Sequence, residues 1–155
     1  MRIIVDDLSH PQVHALLEEH LEDMRATSPP ESVHALDLSG LKHPTITFFS
    51  AWENDELLGC IAIKQHNKAQ GEIKSMRTPR AKRGRGTARL LLLHLMDFAR
   101  EKGIEALYLE TGSMAFFEPA RQLYARHGFE FCGPFADYTD DPNSCFMMRL
   151  LWASI

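Results

Sequence analysis

Residues 71–102 read GEIKSMRT (71–78), PRAKRGRG (79–86) and TARLLLLHLMDFAREK (87–102): a short strand, a basic turn and a long apolar helix. Arg77, Arg80, Lys82, Arg83, Arg85 and Arg89 fall within this turn and its flanks with no acid among them. Without those six cations the net charge would be −10 rather than −4. A positive island in an acidic chain points to an anionic ligand bound at that place. Gly84 and Gly86 allow close backbone approach, and the following helix offers unpaired N–H groups and the positive end of its dipole. Together these features predict a phosphate site.

Two nucleotide signatures fail on this stretch. A P-loop needs Gly-Lys-Ser/Thr, but Gly86 is followed directly by Thr87. A dinucleotide fingerprint needs a third glycine where Arg89 stands, and it must follow the strand without the intervening cations.

The strand and helix extend outward into a regular pattern. Arg2–Val5 reads as a first strand. Ser9 and Gln12 form a capping box around Pro11, and Val13, Leu16, Leu17, His20, Leu21 and Met24 recur at helical spacing to about Arg25. Ser28-Pro29-Pro30 breaks that helix, and Glu31–Leu41 is expected to hold a short second one. This connection is either a surface link or a lid over a substrate, with Glu31 and His34 as its polar contacts. Thr45–Ala51 and Leu57–Lys64 predict a hairpin, and Glu72–Thr78 a third strand. Simple alternation puts Glu72, Lys74 and Met76 on one face of it and Ile73, Ser75 and Arg77 on the other. After the long helix, Ala106–Glu110 predicts a parallel strand joined by a right-handed crossover. A helix over Phe116–His127 and two strands, Phe129–Phe135 and Cys145–Leu151, complete the chain.

Composition bounds the remainder. With 155 residues, 45% hydrophobic and 25% charged, the chain is expected to be one domain over 1–155, with a mixed sheet of the α/β type. No apolar run reaches the roughly 20 residues of a membrane span, and MRIIVDDLSH is too short an apolar run for a signal peptide. Cys60, Cys132 and Cys145 are odd in number and widely spaced, so neither a disulfide framework nor a zinc site is expected. His10, His14 and His20 lack a metal-binding spacing. A cytoplasmic location is expected.

Arg83-x-x-Gly86-x-Ala88 and the later run Ala120-Arg-Gln-Leu-Tyr-Ala-Arg-His-Gly-Phe129 carry a resemblance. They are similar to the pyrophosphate loop and the A-x-x-L-Y-x-x-x-G-F segment of the GCN5-related N-acetyltransferase (GNAT) family. The element order β-α-α-β-β-β-α-β-α-β-β matches that family over nearly the whole chain. The resemblance implies a sheet splayed between its fourth and fifth strands, with the pantetheine arm of acetyl-CoA in the opening. It implies that the backbone of Met76 and Thr78 bonds that arm, and that Arg83, Gly84, Arg85, Gly86, Thr87 and Ala88 hold the pyrophosphate. Arg77, Arg80 and Lys82 are then candidates for the 3′-phosphate. The family's asparagine near the start of the penultimate helix is missing, its place taken by Phe116-Phe117-Glu118-Pro119.

The chemistry so implied is acetyl transfer from acetyl-CoA to a primary amine of a small molecule or protein, by direct attack in a ternary complex. Only a neutral amine attacks a thioester, so a base is required. Glu72 is the first candidate, with Glu110 in reserve. Tyr124 holds the family position for protonating the leaving thiolate, and an amide near Met76 is placed to stabilise the oxyanion. No metal is called for. Self-association as a homodimer fits such a domain. A non-catalytic CoA sensor is the alternative. A nucleic-acid module is disfavoured by the acidic balance and by the lack of aromatics in the basic stretch.

Overall fold

Seven strands form one sheet because the apolar alternation of the strands supplies two faces, each of which has a helical layer to cover it. In this computed structural model, which describes residues 1–34 and 36–151, the elements are β1 (Arg2–Val5), α1 (Pro11–Thr27), α2 (Leu38–Leu41), β2 (Ile46–Glu53), β3 (Glu56–Gln65), β4 (Gln70–Arg77), α3 (Thr87–Glu101), β5 (Ala106–Gly112), α4 (Glu118–Arg126), β6 (Glu130–Cys132) and β7 (Ser144–Leu150). The spatial order is β1-β2-β3-β4-β5-β7-β6, antiparallel throughout except for β4 against β5. That parallel pair requires the crossover supplied by α3.

One apolar layer lies between the sheet and α3 and α4. It contains Leu91, Leu92 and Leu95 of α3, Ile61, Ile73 and Leu107 of the sheet, and Tyr124 and Phe129 at the end of α4. Each fully buried leucine contributes about 1.5–3 kcal/mol. The other layer lies under α1 and α2, where Val13, Leu16 and Leu17 meet Phe48, Trp52, Cys60 and Ala62. Gly59 sets how close α3 can come: a Cβ there would stand 3.0 Å from the Arg77 carbonyl and 3.1 Å from the Leu91 and Thr87 side chains. The missing side chain therefore lets the first turn of α3 sit on β3, which brings the basic turn down onto the sheet.

Several local expectations change. The cap of α1 is His10, whose Nδ1 accepts from the Gln12 amide at 3.1 Å, while Ser9 bonds Asp7. Gln12 instead reaches across to the β2–β3 turn, donating to the Asp55 carbonyl and accepting from the Leu57 amide. The expected second helix over Glu31–Leu41 is a 3₁₀ turn at Pro30–Ser32 followed by α2. Beyond Cys132 the expected long strand is replaced by a loop, and β7 inserts between β5 and β6.

The most consequential difference lies inside β4. Lys74 pairs with Ala62 and Arg77 with Cys60, so two residues of β4, Ser75 and Met76, oppose one of β3, Ile61. The extra residue is a bulge at Ser75, which takes φ 53° and whose carbonyl accepts from the Cys60 thiol at 3.3 Å. Alternation is thereby reversed past the bulge. Met76 joins Ile73 on the α3 face, whereas Arg77 joins Glu72 and Lys74 on the α1 face.

Candidate active site

β4 and β5 pair only from Gln70–Ala106 to Ile73–Leu109. Past that point β5 continues against β7 and β4 against β3, so the two strands part over Lys74–Arg77 and Glu110–Gly112. A cleft of about 840 Å³ occupies the opening. Its walls come from β4, β5, α1, α4, the turn before α3 and Tyr138 of the β6–β7 loop.

At one end stands the basic turn. Gly84 has φ 81° and Gly86 φ 78°, in the left-handed region where a Cβ is strained. These two angles bend the chain so that the amides of Arg83–Arg89 donate to no acceptor among the described residues. Together with the dipole of α3 they form an anion cradle. Arg83, Arg85 and Arg89 also line the cleft and have no acidic partner among the described residues.

Arg77, Arg80 and Lys82, expected to contact a 3′-phosphate, are each engaged by acidic residues, while Arg77 and Lys82 also line the cleft. Arg77 is only 6% exposed, and its Nη2 donates to Glu19 at 2.6 Å and to Asp23, both on α1. The Ser75 bulge is the cause, because it turns this side chain toward α1. Arg80 bonds Asp23 at 2.5 Å and donates its amide to Glu19 at 3.1 Å, and Lys82 pairs with Glu56. Burial alone would raise the Glu19 and Asp23 carboxyls, but the hydrogen bonds from the two arginines outweigh it and hold both below the ordinary carboxylate range. Hence α1 clamps the start of the phosphate turn.

In the middle of the cleft, Tyr124 of α4 is buried, with its hydroxyl 3.5 Å from Met76 Sδ. Burial pushes the phenol well above its usual pKa, so it stays protonated and able to donate. Met76, Thr78, Thr87 and Ala88 line the same space.

At the far end, Glu72 is 2% exposed and already engaged by three groups. His66 Nε2 lies 2.8 Å from Oε1, while Tyr138 donates to Oε2 at 2.6 Å and Lys74 at 3.3 Å. Glu110 faces the cleft from β5, and burial pushes its carboxyl up to about 7. Burial also lowers His20 on α1 to about 4, assisted by Arg77, so its ring is neutral, and its Nδ1 has no partner among the described residues. His34 lines the cleft and stacks edge-on to Tyr138 at 5.0 Å, but Glu31 is exposed and outside the wall, its place taken by Ser32. Lys74, His66 and Tyr138 were missed by sequence reasoning. Lys74 lies two residues from Glu72 on the same face of β4 and was readable as a charge partner, whereas the contacts of Tyr138, 66 residues away, had no local signal.

An anion cradle above two diverging strands, with a buried tyrosine and two carboxylates between them, defines an acyl-CoA site. The sequence pattern of the acetyltransferase (GNAT) family matches residues 13–129, and the chain belongs to that family. It is 54% identical over 151 residues to YsnE of Bacillus subtilis, an uncharacterized N-acetyltransferase, covering 97% of this chain and all of that one. It is 48% identical over 149 residues to YedL of Escherichia coli, likewise an uncharacterized N-acetyltransferase, covering 96% of this chain and 94% of that one. A crystal structure from Klebsiella pneumoniae, provisionally named an acyl-CoA N-acyltransferase, superposes with a TM-score of 0.80 at 30% identity over 97% of both chains. The protein is an acetyl-CoA-dependent N-acetyltransferase with a GNAT fold. No helix of the described residues is long and apolar enough to cross a membrane.

Proposed function

We propose that the protein transfers the acetyl group of acetyl-CoA directly to a primary amine, with Glu110 as base and Tyr124 as acid. The observation that carries this reading is the early end of β4–β5 pairing at Ile73–Leu109, directly below the unpaired amides of Arg83–Arg89. In this reading the diphosphate sits on residues 83–88, and Arg83, Arg85 and Arg89 neutralise it. The pantetheine arm extends as an added strand along Met76–Thr78 and brings the thioester to the gap.

The amine nitrogen attacks the thioester carbon, and an amide near Met76 receives the oxyanion, an interaction of several kcal/mol in comparable sites. The nitrogen gives up its proton to Glu110, the C–S bond breaks, and Tyr124 protonates the departing thiolate. Glu110 is preferred to Glu72 because a base works best with a pKa near ambient pH. The Glu72 carboxylate is committed to His66, Lys74 and Tyr138, and holds the acceptor wall in place. A cytoplasmic location accords with three free cysteines.

The test is a screen of amines with acetyl-CoA, reading free thiol, run beside calorimetric titration with CoA. Micromolar CoA binding with thiol release on at least one amine supports the proposal. CoA binding with no thiol release on any amine leaves a sensor, and absence of CoA binding removes the cradle.

A further inference from the structure

Resting on the reading above, the far end of the cleft defines the acceptor. Two chain segments flank it, residues 28–34 after α1 and the loop after β6. They are joined to each other across the cleft. Ser32 is buried, and its hydroxyl donates to Asp141 Oδ2 at 2.5 Å. Asp141 is fixed in turn by the Asn143 amide at 2.8 Å, and the Ser32 bond lowers its carboxyl below the ordinary range. Two residues along on one side and three on the other, the rings of His34 and Tyr138 meet edge-on at 5.0 Å. Tyr138 is then tied to the cleft floor by its bonds with Glu72 and Lys74. Phe135 and Phe146 pack against it at 4.9 and 5.5 Å, so the loop is anchored from behind as well.

An extended peptide presenting a lysine must run across a catalytic cleft and leave on both sides. The Ser32–Asp141 and His34–Tyr138 contacts close one of those exits. The volume is also restrictive. The whole cleft, about 840 Å³, lies within the range that ordinarily holds one drug-sized ligand, roughly 300–1,000 Å³, and the pantetheine arm must share it. What remains is lined by the polar and charged side chains of His34, Glu72, Lys74, Glu110 and Tyr138, which suit a ligand carrying polar groups of its own. The neutral His20 ring does not repel an incoming ammonium.

We infer that the acceptor is a free, small, polar primary amine and that the Ser32–Asp141 and His34–Tyr138 bridge excludes amino groups carried within a polypeptide.

Two conjugates test this without knowledge of the natural acceptor. In one, CoA is joined through an S-acetyl linker to the ε-nitrogen of free lysine. In the other, it is joined to the same lysine in the middle of an eleven-residue peptide. Titration calorimetry is expected to show the free-lysine conjugate binding at least tenfold more tightly than the peptide conjugate. Asp141→Ala and Ser32→Ala, which cut the bridge, should each narrow that ratio at least threefold with CoA affinity unchanged. Equal or tighter binding of the peptide conjugate overturns the inference, as does an unchanged ratio in both variants. Failure of CoA and both conjugates to bind would instead remove the proposed cofactor site, a distinguishable result.

Discussion

Glu110→Gln separates the proposed base from its neighbours, and its size follows from the burial of the carboxyl. The group moves from an ordinary 4.5 in the unfolded chain to about 7 in the folded one. The folded state therefore holds this proton more tightly. Stability from the neutral carboxyl is present in full below pH 4.5, declines by about 1.4 kcal/mol per pH unit between 4.5 and 7, and is lost above 7. The accumulated cost of ionising it in place is on the order of 3 kcal/mol. Glutamine keeps the shape and never ionises. The variant is expected to match the wild type near pH 4.5 and to exceed it at pH 8, by roughly 6–12 °C in Tm for a chain of this length. Thermal unfolding by circular dichroism at the two pH values is the assay. In kinetics, the wild-type rate should rise with pH through about 7 as the base becomes free, and the variant should lose that limb. An equal Tm difference at both pH values, or a variant less stable at pH 8, would refute the account of Glu110 as a carboxyl forced neutral by burial.

Other expectations follow from the same geometry. Tyr124→Phe should lower turnover at least tenfold while CoA affinity by calorimetry stays within twofold, because the ring still fills the core and only the hydroxyl beside Met76 is lost. Asp23→Asn removes one partner of the buried Arg77 guanidinium and should cost about 2–3 kcal/mol in denaturant unfolding at pH 7. Since Asp23 and Glu19 are held below the ordinary carboxylate range, wild-type stability should fall as pH drops below about 4, and the variant should flatten that fall. Gly86→Ala meets no atom within 4 Å, so its effect is backbone strain alone, about 1–2 kcal/mol at φ 78°. Thermal unfolding should then show Tm lowered by roughly 2–8 °C, and an unchanged Tm would contradict a strained left-handed residue at this position.

Much of the architecture was legible because it rests on local rules. The apolar stripe of α3, the left-handed glycines at 84 and 86 and the strand–helix–strand order each leave a mark within a few residues. The departures come from interactions that no short window contains. A bulge at Ser75 has no signature in GEIKSMRT, yet it reverses the faces of β4 and aims Arg77 at Glu19 and Asp23 of α1. Glu72 is the first candidate for the base from sequence, but the partners that engage it include Tyr138, a residue of the β6–β7 loop. His10 displaced Ser9 as the α1 cap because Asp7 captured the serine hydroxyl. The burial that raises Glu110 depends on how β5 sits between β4 and β7, a matter of sheet order rather than sequence.

The central claim is that the turn at 83–89 grips a diphosphate and aims a thioester into the gap where β4 leaves β5. A crystal structure of the acetyl-CoA complex tests it most directly. The account predicts diphosphate oxygens within hydrogen-bond distance of the Arg83–Ala88 amides, and the acetyl carbonyl between Met76 and Tyr124. A diphosphate bound elsewhere, or β4 and β5 closed into continuous pairing with the cofactor present, would contradict it.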